Sequence, residues 1–447
     1  MSIQKKVLSL ACALSMMLTI SAPGLAETAP ADGFVKEDVV AVQGTLSGND
    51  FFAGGDGTAE NPYQIATVEQ LSAVQSNLTA CYKLTADIDL SAVENWSPIG
   101  VYVMKDGTED ADRDYAFTGE FDGDNHVISG ISVDASDPAN GLDSPEHYGI
   151  FGTGGVFNCV ADGTVKNLTV TGVDVKGFAL VAGAVGYGDH ATILNVHCIG
   201  IADAPNRIEA TAMMAGGVIG GCMESTIDGC SAMYTDVIAG MGGNSGAMGG
   251  GLSHSDVMNC LVESCTVTAA DGGMWIGGLS GCMNYGDAAA SEHTFANCTV
   301  SNTTIVVNGM GSYVGGLVGA GGHTMSADDD VRALIENCKV QNVSITVNDD
   351  VTCVGGLIGG GLRDGDVLPN SFCIKNCTVD NDSSIVSAAD PVANLIGTLI
   401  GEAYLDQIEK DGAPVDITAR ELDLTGSGTS TGIVLEGAET IGGLTDK

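Results

Sequence analysis

Basic and aromatic residues are scarce in this sequence of 447 residues. Lys and Arg together number 16 against 57 Asp and Glu, which gives a formal net charge of −41, and Phe, Trp and Tyr make up 5% of the chain. Nucleic-acid binding needs clustered Lys and Arg. We therefore expect no nucleic-acid partner, and the charge also disfavours anionic membrane surfaces. An excess of acidic residues is typical of a soluble exported protein.

Sequence motifs of known chemistry are also scarce. The chain has no H-E-x-x-H, no C-x-x-C and no phosphate loop ending in Gly-Lys-Ser/Thr, and its seven His are scattered. Acidic runs at 328–330 and 349–350 could hold Ca²⁺ weakly, but solvated loops are the simpler interpretation. We therefore predict no catalytic, cofactor-binding or metal-ligating residue and no cofactor.

Long hydrophobic runs are lacking beyond the N-terminus. After Ala26 no apolar stretch approaches the roughly 20 residues of a membrane helix, so we expect no integral membrane segment. Residues 1–26 are typical of a secretory signal peptide, with Lys5 and Lys6 before an apolar segment that is too short to span a bilayer. A lipid anchor on Cys12 is the alternative, which its poor sequence context disfavours. We expect a flexible leader over 27–49 and a protein that is secreted or non-covalently associated with the cell surface.

Glycine, by contrast, is abundant, with 64 residues, about twice its ordinary share. Together with many β-branched residues it indicates short strands joined by tight turns. A block of the type Gly-Gly-Leu-x-Gly recurs along the chain. Its copies are Ala182–Gly186, Gly216–Gly220, Gly250–Ser253, Gly277–Gly281, Gly315–Gly319, Gly355–Gly359 and Gly397–Gly401.

A second block, centred on cysteine, follows the first six copies at a variable distance. Its successive cysteines are Cys198, Cys230, Cys265, Cys298, Cys338 and Cys377, at spacings of 32, 35, 33, 40 and 39 residues. Short fixed strands separated by loops of variable length indicate a solenoid. Several glycines in each unit, at about 1 kcal/mol each in a helix interior, exclude a helical solenoid. We therefore predict a parallel β-helix of about eight to ten coils, in which equivalent residues stack at about 4.8 Å.

Two details of the repeat follow from this prediction. We expect the paired glycines to supply backbone with positive φ at tight turns. We expect the cysteines to stack as a buried, reduced ladder that fills the core. One or two disulfides remain the main alternative, because stacked coils bring Cα atoms into disulfide range although the parallel side chains suit the bond poorly. Metal or redox chemistry is a weaker alternative.

An N-terminal block at 50–135 differs from the repeats. It contains Gly54-Gly55-Asp56-Gly57-Thr58, Asn61-Pro62-Tyr63-Gln64-Ile65, Asp87-Ile88-Asp89-Leu90, Trp96-Ser97-Pro98-Ile99-Gly100, and Phe117-Thr118-Gly119-Glu120-Phe121-Asp122-Gly123. Thr67 is a typical N-cap, with Gln70 at the third helical position, and predicts one short helix over Val68 to Asn77 that caps the open end of the β-helix.

This block and the glycine repeats together resemble the GLUG-motif proteins over about residues 50–405. These are bacterial secreted and surface proteins, and similar segments occur in adhesins and in the non-catalytic regions of IgA peptidases. The resemblance implies a right-handed single-stranded parallel β-helix, with GLUG-type repeats over 136–405 and a C-terminal cap or tail over 406–447. It implies no catalytic residues, because the family shares none.

Two classes of function remain open. The first is a non-enzymatic adhesion or binding module for host or envelope glycoproteins or glycans, and a display stalk is a variant of it. The second is a carbohydrate-active β-helix enzyme, which would need paired carboxylates in a groove. Asp87 with Asp89, and Asp122 with Asp124 beside His126, are the candidate pairs. We interpret both pairs as structural, because they bound a strand or form a turn.

Overall fold

The computed structural model describes most of the chain beyond the N-terminal segment. The described residues are 51–103, 110–135, 150–151, 154–240, 243–270, 272–283, 293–309, 311–321, 333–348, 351–361, 372–380, 382–387, 395–404, 409–410, 413–414 and 439–445. The predicted signal peptide and leader, the acidic runs at 328–330 and 349–350, and nearly all of the C-terminal tail lie outside these residues.

Three parallel sheets form the faces of a solenoid, which confirms the predicted all-β parallel β-helix. Sheet 1 has 17 strands, because the chain is bent within most coils and forms two strands there. Its strands are Tyr63–Ile65, Cys81–Leu84, Ile88–Asp89, Glu120–Asp122, Val127–Ser129, Thr164–Thr171, Thr192–Ile199, Thr226–Asp228, Ser231–Met233, Asp256–Met258, Leu261–Glu263, His293–Ala296, Thr299–Ser301, Ala333–Glu336, Lys339–Gln341, Phe372–Lys375 and Thr378–Val379.

Sheet 2 has 8 strands, one per coil, and sheet 3 has 15. The strands of sheet 2 are Ser132–Asp134, Asp174–Gly177, Asn206–Ala210, Thr235–Ala239, Thr266–Ala269, Thr304–Val307, Ser344–Val347 and Ser384–Ser387. Those of sheet 3 are Phe157–Ala161, Val181–Ala182, Val185–Asp189, Met214–Gly216, Ile219–Met223, Gly243–Gly246, Gly249–Ser253, Gly273–Gly277, Ser280–Met283, Gly311–Gly315, Val318–Gly321, Val351–Gly355, Ile358–Gly361, Leu395–Tyr404 and Glu439–Thr445. Two antiparallel pairs join Tyr102–Val103 to Ile150–Phe151 and Glu409–Lys410 to Ala413–Pro414.

The core is built from rows of stacked apolar side chains. In sheet 2, for example, Val237 pairs with Val267, and the row continues through Ile305, Ile345 and Ile385. All five side chains are buried, while the residues on either side of each are more exposed. This period of two follows from the strand geometry, which points alternate side chains to opposite faces.

A short helical segment lies in the first coils, as the sequence predicts. An α-helix spans Val68–Ser72 and continues as a 3₁₀-helix over Ala73–Ser76. The Thr67 side chain accepts a hydrogen bond from the Gln70 backbone N–H, and the Gln70 side chain accepts one from the N–H of Ala66. Leu71 is fully buried in the main core, so the helix covers apolar side chains near the N-terminal end of the solenoid.

Several bends of the coils are left-handed, and most of the residues there are not glycine. In sheet 1 the residue between the two strands of a coil has a positive φ, and asparagine fills most copies of this position: Asn167, Asn195, Asn259, Asn297, Asn337 and Asn376, with Gly229 in one coil. Asparagine tolerates this backbone region better than other non-glycine residues. Its amide also links coils, since Asn297 Nδ2 donates to Asn259 Oδ1 at 3.1 Å.

The predicted role of the paired glycines is therefore wrong. Within the described blocks none of the paired glycines has a positive φ. They are needed because the backbones of successive coils approach closely at the bend of sheet 3. A β-carbon on Gly278 would lie 2.2 Å from the carbonyl oxygen of Gly316, and one on Gly316 would lie 2.1 Å from that of Gly356. Only glycine fits such an approach.

The alignment of two repeat blocks also needs correction. The coil that begins near Gly243 pairs Gly246 with Gly216 and Gly277, so its bend lies at Gly246, four residues before the predicted block at Gly250–Ser253.

The cysteine ladder consists of Cys230, Cys260, Cys298, Cys338 and Cys377, which precede paired strands of sheet 1. Two cysteines of the predicted ladder occupy other positions: Cys198 pairs with Ala232, and Cys265 lies beside Thr303.

The twelve cysteines whose side chains the structure describes are free thiols, and all but the half-buried Cys81 are buried. Within the ladder each thiol donates to a carbonyl oxygen of the preceding coil. Cys298 Sγ, for example, lies 3.5 Å from the Val257 oxygen, and Cys338 Sγ lies 3.5 Å from that of Phe295. The ladder thus agrees with the predicted buried and reduced packing, and no disulfide joins any two of these twelve cysteines.

Candidate functional site

The carboxylates singled out in the N-terminal block serve turns and strand ends. Asp87 Oδ1 accepts hydrogen bonds from the backbone N–H of Val127 at 3.0 Å and from His126 Nδ1 at 2.9 Å. Asp89 accepts from the N–H of Ser91 at 2.9 Å. Each carboxylate therefore satisfies a backbone donor at a strand end.

The second carboxylate pair has the same character. Asp122 Oδ1 accepts from the N–H of Asp124 at 2.9 Å and from the Asn167 amide at 3.0 Å, while Asp124 forms an ion pair with Lys83 at 3.0 Å. These contacts close the turn between two strands of sheet 1 and tie it to the next coil. They agree with the structural interpretation of both pairs.

The main charged cluster lies elsewhere, at the corner where sheet 3 passes into sheet 1. Its centre is Asp189, a side chain that is only 1% exposed. Asp189 Oδ2 accepts from Arg113 Nη1 and from the Ala111 N–H, both at 2.7 Å, and Asp189 Oδ1 lies 2.6 Å from His190 Nδ1. His190 Nε2 lies 2.8 Å from a Glu224 carboxylate oxygen of the next coil.

Arg113 joins two successive coils in this cluster. Besides Asp189 it binds Asp162, with Nε 2.8 Å and Nη2 3.3 Å from the two carboxylate oxygens. These hydrogen bonds to Asp162 raise the pKa of Arg113, and in return they lower the pKa of Asp162. The two-pronged geometry suits guanidinium and carboxylate groups.

His190 bridges two carboxylates, and this fixes its charge state. Partial burial lowers its pKa, but the hydrogen bond to Asp189 and the negative charges of Asp189 and Glu224 outweigh burial, so the pKa is raised overall. A neutral imidazole has only one N–H and could donate to only one of the two carboxylates. The geometry with both contacts therefore belongs to the protonated form.

This cluster fastens the segment around Ala111 and Arg113 to the coils. The central Asp189 carboxylate is buried and accepts hydrogen bonds from three donors. The nearby thiol of Cys159 is fully buried, and burial raises its pKa, which disfavours a nucleophilic thiolate. Sequence reasoning missed the cluster, because Arg113 lies 76 positions from Asp189 and neither belongs to a motif.

Histidine and cysteine do not converge on a metal site in the part of the chain that the structure describes. His254 and His293 are neighbours, with ring centroids 5.3 Å apart, and both are buried. Burial is the main cause that lowers the pKa of His293.

A Gly-Thr-Ser-Thr-Gly run at Gly428–Gly432 matches the pattern G-x-S-x-G but lies outside the described residues.

The two tryptophans belong to the packing. Trp96 is 4% and Trp275 is 5% exposed. Trp275 packs with Cys282 and Ala320 in a small cluster on the outer side of sheet 3. Stacking against a sugar ring needs an exposed aromatic face, so neither residue can act as a platform for a glycan in this conformation.

The outer face of sheet 2 is divided into a charged half and an uncharged half. In the earlier coils its outward positions include Asp174, Lys176, Arg207, Glu209 and Asp236, with Lys176 and Arg207 both paired to Glu209. In the last four strands every outward side chain is uncharged. We call this set the neutral face; it consists of Thr266, Thr268, Thr304, Val306, Ser344, Thr346, Ser384 and Val386.

Comparisons with known proteins agree with a glycine-rich surface protein but do not identify a family. No protein-family model matches the chain, so the resemblance to GLUG-motif proteins stays a prediction. Halomucin of Haloquadratum walsbyi is 36% identical over 193 residues, which are 42% of this chain and 2% of halomucin. A candidate Gly-rich membrane protein of Evansella cellulosilytica is 33% identical over 154 residues, 32% of this chain and 15% of that protein.

One solved structure is similar over most of the chain. It is a candidate immunoglobulin A1 protease from Bacteroides ovatus, with a TM-score of 0.44 and 16% identity over 81% of this chain and 94% of that chain. Among the described residues no helix is long and apolar enough to cross a membrane. This chain covers only a small part of both curated relatives, 2% of halomucin and 15% of the Evansella cellulosilytica protein.

Proposed function

We propose that this chain is the β-helix of a secreted or surface-associated protein and acts as a non-enzymatic binding module for glycans, either free or carried on glycoproteins. The proposal rests on a contrast between two sets of described polar groups, those engaged in contacts within the chain and those that point outward from the strands. The candidate carboxylates and the charged cluster at Asp189 are occupied by contacts within the chain. The outward strand positions, in contrast, present polar side chains in register from coil to coil.

The two relatives support this placement. One is named halomucin and the other is described as a Gly-rich membrane protein, and names of this kind belong to proteins of the cell envelope or its surroundings. The acidic composition adds support, because a formal charge of −41 keeps a long repeat protein soluble and free of nonspecific association. A partner in the cell envelope would retain such a protein at the surface.

Binding to immobilised glycans and mucins tests the proposal. Purified protein, from Glu27 onward, would be applied to an array of neutral, sialylated and sulfated glycans and to mucin, with heat-unfolded protein as the control. The proposal expects binding by the folded protein to a defined subset of glycans. Absence of binding to every glycan and mucin would refute it.

A further inference from the structure

The neutral face differs from the rest of the molecular surface in its chemistry. Its eight side chains carry only hydroxyl and methyl groups, whereas equivalent positions in the preceding coils carry Asp174, Lys176, Arg207, Glu209 and Asp236. In a chain with a formal charge of −41, four successive strands of sheet 2 without an outward charge are a separate surface. A ligand that fits this surface is itself uncharged. The surrounding acidic residues repel a polyanion, and they attract a polycation to themselves and away from the neutral face.

One asparagine pair flanks the neutral face on each side, and the Asp380 carboxylate, which accepts from the Asn342 N–H, lies beside the first pair. On the side of sheet 1, Asn342 Nδ2 donates to Asn302 Oδ1 at 2.8 Å, and on the side of sheet 3, Asn348 Nδ2 donates to Asn308 Oδ1 at 2.8 Å. Hydroxyl and amide groups both donate and accept hydrogen bonds without charge. They are the groups that recognise the hydroxyls of a sugar, while exposed methyl groups, such as those of the 56% exposed Val386, can contact its C–H faces.

The neutral face is also periodic. Thr266 pairs with Thr304, Thr304 with Ser344, and Ser344 with Ser384, so one hydroxyl recurs on each coil along the axis of the solenoid. The repeat is about 4.8 Å, set by the spacing of adjacent strands. A regular row of weak donors and acceptors suits a ligand that is itself a regular polymer, because many weak contacts made by one chain add up.

We propose that the neutral face binds a neutral polysaccharide chain that runs parallel to the axis of the β-helix. This inference rests on the proposed binding function and names its ligand class and its surface. Side chains of the four strands would contact successive sugar units along the chain. The Asn302–Asn342 and Asn308–Asn348 pairs would flank it as fixed hydrogen-bonding groups.

Co-sedimentation with insoluble neutral polysaccharides tests this inference. The probes are cellulose, mannan, β-1,3-glucan and granular starch, each mixed with the folded protein. The test variant is Thr304→Glu with Thr346→Glu, which places two carboxylates on the neutral face. The matched control is Thr226→Glu with Thr299→Glu, which makes the same change on outward positions of sheet 1. Thermal unfolding confirms that both variants remain folded, and Thr304→Ser tests whether a hydroxyl at that position is sufficient.

We expect the wild type to sediment with at least one of these polysaccharides. The test variant should bind about tenfold more weakly, equivalent to about 1.4 kcal/mol, while the control variant and Thr304→Ser stay within about twofold of the wild type. Equal affinity of test and control variants would overturn the inference. Binding to mucin or to charged glycans without binding to any neutral polysaccharide would also overturn it, while leaving the proposed function intact. Absence of binding to all glycans would refute both.

Discussion

Gly217 faces the carbonyl oxygen of Ala247 in the next coil so closely that a β-carbon on Gly217 would lie 2.1 Å from that oxygen. The same relationship recurs at Gly278 and Gly316. The glycine repeat therefore marks a bend at which backbones touch, and its period reports the stacking of coils. This explains why glycine recurs in the sequence where the backbone itself has an ordinary negative φ.

Replacing a bend glycine by alanine should destabilise the fold. Gly316→Ala would place its β-carbon against the Gly356 carbonyl oxygen, and we expect a loss of about 1–3 kcal/mol or more in the free energy of unfolding. Urea unfolding followed by far-UV circular dichroism measures the change. Gly54→Ala is the matched control, because its β-carbon would meet only the flexible Gln64 side chain, at 3.1 Å. Equal stability of the two variants would contradict the account of the bend.

The cysteine ladder should react with thiol reagents only after unfolding. Cys298 and Cys338 of the ladder are fully buried. Burial has a clear effect on a thiol outside the ladder, since it raises the pKa of Cys222 to about 12. Cys81 is half-buried and provides an internal control. Alkylation at pH 8, read by peptide mass spectrometry, should label Cys81 in the native protein and the ladder only in denaturant. A disulfide between Cys260 and Cys298 in the native protein would contradict the reduced ladder.

The charge of His190 should make part of the stability depend on pH. Its folded pKa is raised above 6.5, so its contribution is fully present below about pH 6.5 and is lost as the pH rises through the folded value. Nuclear magnetic resonance titration of the imidazole protons measures this pKa. His197, whose pKa is lowered by burial, should shift in the opposite direction. His190→Gln should remove the corresponding slope from the melting temperature between pH 6 and 8, and an unchanged slope would exclude this role.

Loss of Arg113 should cost more than loss of an ordinary surface cation. Arg113→Met removes the guanidinium partner of the buried Asp189 carboxylate and leaves His190 as its neighbouring cation, and we expect a loss of about 2–4 kcal/mol in the free energy of unfolding. Lys83→Met removes a solvent-exposed partner of Asp124 and should cost less than about 1 kcal/mol. Urea midpoints of the two variants provide the comparison. A smaller effect for Arg113→Met than for Lys83→Met would show that the cluster does not fasten the segment.

The fold class could be predicted from the sequence because stacking repeats the same residue type at each coil. The N-terminal helix was predictable from local signals, since Thr67 and Gln70 cap it as expected. The exact register was not predictable. Coils of the repeats carry one or two cysteines each, and loops vary in length, so Cys260 and Cys265 are indistinguishable by spacing, although only Cys260 lies in the ladder.

The charged cluster could not be predicted, for a different reason. Arg113 belongs to the N-terminal block and Glu224 to the repeats, and only the stacking of coils brings both to His190 and Asp189. The left-handed corner that carries His190 and Glu224 has no consensus residue type, because Asp162 and His254 occupy equivalent positions. The neutral face is visible in the sequence only once the register of sheet 2 is known.

Binding and turnover measured in one sample test most directly whether the protein binds glycans without cleaving them. The folded protein is incubated with a glycan that it binds. Bound protein is quantified by sedimentation, and released sugars are quantified by chromatography over several hours. The account predicts stable binding with no soluble product above the level of a protein-free control. Steady accumulation of shortened glycan that depends on folded protein would contradict it and would favour a carbohydrate-active enzyme.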